Sequence, residues 1–135
     1  MTVVLNVDGR PQPDAFDGPF VNVKALSPDL AMGATIGLDV ENTQDLSVVA
    51  EYLPDIEVIR VDFPAMGDGR GFSLASRLRR MGYVGRLRAA GPLVPDQAAA
   101  LGAVGFAEVE LPEEVAARWT PVSGPRGSYQ ARLFG

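Results

Sequence analysis

The densest concentration of groups able to do chemistry is the segment Asp62-Phe-Pro-Ala-Met-Gly-Asp-Gly-Arg-Gly-Phe-Ser73, in which glycines at 67, 69 and 71 bracket Asp68 and Arg70. Glycine tolerates positive φ and close backbone approach, and a helix starting just beyond presents N–H groups with no intrahelical partner. Such a segment suits an anion. With Arg88 as a bidentate clamp and Asp62 or Asp68 as a general base, the candidate binding set for a small oxyanion or phosphorylated ligand is Asp62, Asp68, Gly69, Arg70, Gly71, Ser73 and Arg88. The segment is not a dinucleotide fingerprint, because the third position after Gly69 is Phe72. Nor is it a P-loop, since no Gly-Lys-Ser/Thr follows. The plainer alternative is that Ser73 or Asp68 caps the helix.

Absences narrow the chemistry further. The chain has no cysteine and no histidine. It therefore cannot attack through a thiolate, form a disulfide, hold a thiolate-ligated iron–sulfur cluster, ligate a metal or haem through imidazole, or run a Ser-His dyad. Carboxylates, guanidinium groups, hydroxyls and backbone remain, no metal site is expected, and no cofactor is called for. A net charge of −5 argues against nucleic acid as a partner. One local exception is Arg77, Arg79, Arg80, Arg86 and Arg88, five of twelve basic residues within a dozen positions. They form either an anion-facing patch or a solvated helix face with internal ion pairs. No apolar run approaches the ~20 residues of a membrane span and no leader pattern opens the chain, so a cytoplasmic protein without a membrane partner is expected.

These groups must be positioned by regular elements. The 135 residues, 47% apolar and 21% charged, suit one α/β domain with a 1–33 arm, a 34–119 core and a 120–135 tail. Charged pairs two positions apart sit inside strand-like runs: Asp39/Glu41, Arg60/Asp62, Arg86/Arg88 and Glu108/Glu110. Side chains alternate along a strand, so each run has an apolar and a charged face. Strands are predicted over 34–40, 56–62, 86–90 and 106–111. Helices follow over 45–53, 72–81, 95–104 and 112–119, bounded by Pro54, Gly82, Gly105 and an acidic first turn at Glu113 and Glu114. Four consecutive βα units predict an open parallel sheet resembling half of a (βα)8 barrel, with a small doubly wound sheet as the alternative. Strands at 2–6 and 20–24 predict a hairpin-like N-terminal arm, and 129–134 reads as strand-like. The charged face is expected to meet water, a ligand or another subunit.

The string DFPAMGDGRGFSLASRLRRMGYVGRLRAAGPLVPDQAAALGAVGF resembles the bacterial family known as domain of unknown function 934. Its members show D-F-P, D-G-R-G-x-S, G-x-L-R-A-x-G, D-Q and G-F in this order, and the resemblance covers about residues 35 to 111. The motif positions fall on Asp62, Phe63, Asp68, Gly69, Arg70, Gly71, Ser73, Arg88, Gly91, Asp96 and Gln97. Pro92 departs from the family, which commonly has an acidic residue there. The resemblance implies a place near sulfite reductase in assimilatory sulfate reduction, for proteins often labelled oxidoreductases. Redox work would require a flavin or nicotinamide bound in an unrecognised mode.

Two functions follow as expectations. One is a non-catalytic accessory domain that self-associates, most simply as a homodimer through the 128–134 segment, and docks on a sulfite reductase partner. The other is a small enzyme or sensor binding an oxyanion or phosphorylated ligand at the carboxyl ends of the strands. Side-chain phase adds two local expectations: an Asp62–Arg88 ion pair between neighbouring strands, and helix 72–81 packing through Leu74, Leu78 and Met81 with Ser76, Arg79 and Arg80 facing away.

Overall fold

The computed structural model describes residues 2–13, 15–16, 18–27, 35–65 and 69–119. Period-two alternation becomes a six-stranded sheet, its strands being β1 (Thr2–Asn6), β2 (Phe20–Asn22), β3 (Ile36–Val40), β4 (Ile56–Asp62), β5 (Arg86–Ala90) and β6 (Glu108–Pro112). Their spatial order is β1-β6-β5-β4-β3-β2. β2 to β6 run parallel, and β1 adds antiparallel to β6. The expected N-terminal hairpin does not form, because β1 and β2 sit on opposite edges of the sheet. A strand with a polar and an apolar side finds its partner wherever faces match, which for β1 is β6, far along the chain, and for β2 is β3, the next strand.

The register lines up the faces row by row. Val40, Val61, Ala89, Val109 and Leu5 form one apolar row across five strands, and Val21, Leu38, Ile59 and Leu87 form the next. Because successive parallel strands always step in one direction, right-handed crossovers put their linking helices on one side of the sheet. These are α1 (Arg70–Arg80) and α2 (Ala98–Ala103), with α3 (Glu113–Ala116) after β6. Leu74, Ala75 and Leu78 of α1, Leu101 of α2, and Leu93 and Trp119 share one buried cluster with the apolar rows.

Local differences from expectation have local causes. The predicted helix 45–53 is two 3-10 turns, Leu46–Val48 and Ala50–Asp55. Adjacent Val48 and Val49 disfavour an α-helix, and Pro54 cannot donate to one. Met81 caps the end of α1 and stands exposed instead of joining the core, whereas Ala75 is fully buried beside Leu74 and Leu78. Arg79 does not face away. Its guanidinium donates to the carbonyl oxygens of Tyr83, Gly85 and Gly105 at 2.9, 2.8 and 2.8 Å, tying α1 to the entries of β5 and β6. Burial pushes the Arg79 pKa down. Met66, Gly67, Asp68 and the 120–135 tail, including its expected strand, lie outside the described residues. Among those described, no helix is long and apolar enough to cross a membrane.

Candidate functional site

The polar face of the sheet is built from rows that complement the apolar ones. Asn22, Asp39, Arg60, Arg88, Glu108 and Asn6 line up across all six strands. Arg60 and Arg88 are therefore direct neighbours, an arrangement that repels unless something lies between them. Glu110, one row further, supplies it. Its Oε1 accepts from Nη1 of Arg60 at 3.1 Å and from Nη1 of Arg88 at 2.8 Å. Arg60 also forks onto Asp39 through Nε–Oδ1 at 2.5 Å and Nη2–Oδ2 at 2.8 Å. That hydrogen bonding raises the Arg60 pKa against the lowering effect of burial. Arg88 donates from Nε to Glu108 at 3.0 Å and from Nη2 to the carbonyl of Phe16 at 3.0 Å. Arg86 reaches Glu108 at 3.4 Å and Glu57 at 3.5 Å. Arg88 and Glu108 are only 2% and 0% exposed, and among the described residues no buried side-chain nitrogen or oxygen lacks a partner.

A short piece of the N-terminal arm covers this network. Phe16 and Phe20 pack edge to face, with centroids 5.4 Å apart. The Phe20 ring lies 3.9 Å from the guanidinium carbon of Arg60 and 5.2 Å from that of Arg88, within cation–π range. Glycine at position 37 makes room, since a Cβ there would stand 2.6 Å from the Phe20 ring. The expectation of a charged face left for water, ligand or subunit is thus corrected: in its centre the face is neutralised by its own strands and roofed by its own arm.

The described residues of the predicted set lie in three separate places, and Asp68 lies outside the described residues. Asp62 and Arg88 share the polar face, but Asp62 aligns with Ala90 and Arg88 with Arg60, so Arg88 pairs with Glu108 and Glu110 instead. Asp62 is exposed and lines a cleft of about 520 Å³ at the carboxyl ends of β2 to β5, together with Lys24, Asp39, Glu41, Gln44 and Arg60. Arg70 and Ser73 line a separate depression of about 180 Å³ with Arg77, reached across Gln44, which borders both. Gly69 is the N-cap of α1 and, being glycine, offers no side-chain cap, while Asp68, one of the two expected caps, lies outside the described residues. Gly71 answers to packing, because a Cβ there would meet the Phe63 ring at 2.4 Å. Gln97 accepts the Val94 N–H at 2.9 Å and so closes the turn before α2. Lys24, Glu41 and the Phe16/Phe20 roof were not singled out as site residues; two phenylalanines four apart in a Pro/Gly/Asp-rich stretch were the available signal for the roof.

The fold and this face define a small open-sheet α/β domain, mostly parallel, whose polar face is closed by internal ion pairs. The chain belongs to the family described as "Bacterial protein of unknown function (DUF934)", whose model matches residues 37–133. No curated protein and no solved structure matches it.

Proposed function

We propose that this chain is a non-catalytic accessory domain that acts by contact with other proteins, with a sulfite reductase as the partner that the family resemblance suggests. The observation that carries the reading is the occupation of Arg60, Arg86 and Arg88 by the chain's own carboxylates. A catalytic anion site on that face would first have to break these pairs. The βα units, read as half of a (βα)8 barrel, then serve as a scaffold. Its outward surfaces include Val84, 95% exposed, beside Met81 at the opposite end of the sheet from the cleft. In this reading the chain also self-associates as a two-fold homodimer. The test is co-purification of tagged chain with the sulfite reductase of the same cell, followed by sedimentation of the complex. A stoichiometric complex supports the reading; a monomer that ignores sulfite reductase, or that turns over a substrate alone, overturns it.

A second reading, a binder of a small oxyanion or phosphorylated ligand, is favoured by the Arg70, Ser73 and Arg77 depression at the start of α1. Titration with inorganic sulfate and phosphate tests it, with Arg77→Ala expected to weaken binding. No saturable binding removes it.

A further inference from the structure

We propose that the cleft at the carboxyl ends of β2 to β5 binds a small amino-acid-like ligand carrying one carboxylate and two cationic groups. The inference goes beyond the accessory role and is independent of it.

The argument starts from charge pairing on one sheet face. Across the middle of that face, Asp39, Arg60, Glu110, Arg88, Glu108, Arg86 and Glu57 are linked into one chain of ion pairs. Three charges at the rim of the same face stand outside it. Lys24 lies in the 3-10 turn that leaves β2, Glu41 directly follows β3, and Asp62 ends β4. All three are exposed and all three line the cleft. They therefore sit just past the carboxyl ends of three neighbouring parallel strands, where open α/β sheets place their ligands.

The signs select the ligand. Within the cleft Asp39 and Arg60 satisfy each other, which leaves one cation and two carboxylates facing the space. A simple anion meets more repulsion than attraction there. Among the described residues the carboxylates do not gather into a metal-ligand group, so a bare divalent cation is not the match. A molecule with one carboxylate for Lys24 and two ammonium or guanidinium groups for Glu41 and Asp62 complements all three. A space of about 520 Å³ falls in the range of small-molecule sites.

The probe is L-lysine, titrated calorimetrically into the full chain at low ionic strength, with cadaverine and L-glutamate as comparisons. L-lysine is expected to bind saturably at one site, cadaverine about tenfold more weakly for want of a carboxylate, and L-glutamate not at all. Lys24→Met should weaken L-lysine about tenfold while cadaverine, which that ammonium repels, binds at least as tightly as before; Asp62→Asn should weaken both about tenfold. Because these side chains are exposed and outside the ion network, melting temperatures should match wild type, which separates lost binding from lost folding. Absence of saturable L-lysine binding up to ~10 mM overturns the proposal. So does equal binding of L-glutamate, or L-lysine binding that neither variant alters.

Discussion

Replacing Arg88 by methionine keeps most of the side chain's length and removes its charge from a place that is 2% exposed. The loss orphans the Glu108 carboxylate oxygen bonded to Arg88 Nε at 3.0 Å and the Phe16 carbonyl bonded to Nη2, and it leaves Glu110 with Arg60 and Thr2. Glu108 retains only the longer 3.4 Å contact to Arg86. Removing one partner of a buried pair costs about 3–5 kcal/mol, because the remaining charge is neither solvated nor neutralised. At roughly 2.1 cal/mol/K per residue, a chain of 135 residues unfolds with an entropy near 0.28 kcal/mol/K, so the melting temperature should fall by about 11–18 °C. Urea titration with an unchanged m-value checks that only stability has moved. The companion variant Arg88→Met/Glu108→Leu removes both charges and should recover at least about 2 kcal/mol relative to the sum of the single changes. A neutral Arg88→Met, or a double variant whose cost equals the sum of the singles, would refute the view that these buried charges depend on each other.

Gly91→Ala should destabilise by on the order of 3 kcal/mol, since φ is +141° and the new Cβ would fall 2.1 Å from the Phe63 carbonyl oxygen. Gly82→Ala, at φ +99° with nothing within 4 Å, should cost only about 1 kcal/mol; equal urea midpoints for the two would refute the steric argument. Burial raises the Tyr83 pKa above its ordinary 10, and its hydroxyl donates to the Ile56 and Arg86 carbonyls at 3.1 and 3.3 Å. The unfolded phenol then ionises first, so stability contributed by Tyr83 is whole below pH 10 and declines as pH rises beyond it. Tyr83→Phe should cost about 1 kcal/mol at neutral pH and flatten that alkaline decline in pH-dependent urea unfolding. Hydrogen bonds from the backbone and then the side chain of Ser47, followed by the charge of Arg77, hold Asp45 below its ordinary 3.8. Its contribution is therefore complete above that value and is lost as pH falls through the folded pKa, and Asp45→Asn should reduce the loss of stability measured on acidification.

What could be read in advance follows from the range over which each signal acts. Strands β1, β4 and β5 have the predicted bounds, since alternation is a property of five to seven consecutive residues. The sidedness of Asp62 and Arg88 was equally legible. Their pairing was not, because relative register between parallel strands is decided by the crossover, and here it sets Arg88 against Arg60. The role of Glu110 was hidden for the same reason: it serves two arginines 22 and 50 positions away, and spacing along the chain carries no trace of that. The segment 45–53 reads as a helix because Leu46, Val49 and Leu53 keep helix-like spacing, while β-branched residues and Pro54 oppose the α form and leave 3-10 turns.

The motifs behind the family resemblance also acquire a physical explanation. Phe63 follows β4 and is fully buried, and its N–H donates to the Ala90 carbonyl at 2.8 Å. Gly71 is small because the Phe63 ring lies against the first turn of α1. Gly91 combines positive φ with close approach to the Phe63 carbonyl. Phe106 meets the same ring at 5.7 Å and Phe72 at 5.4 Å. The D-F-P, G-R-G, R-A-x-G and G-F segments thus contribute residues to the surroundings of one phenylalanine, which fixes the exits of β4 and β5 against α1 and the entry to β6. Gly71, which the sequence suggests for cradling an anion, is demanded by the Phe63 ring, and the motif glycine Gly91 by the Phe63 carbonyl. By contrast Asp62, one residue before Phe63, is held at the cleft by a backbone that this packing immobilises. Buried Phe63 therefore positions Asp62, which among the described residues of the predicted set is the carboxylate that lines the cleft.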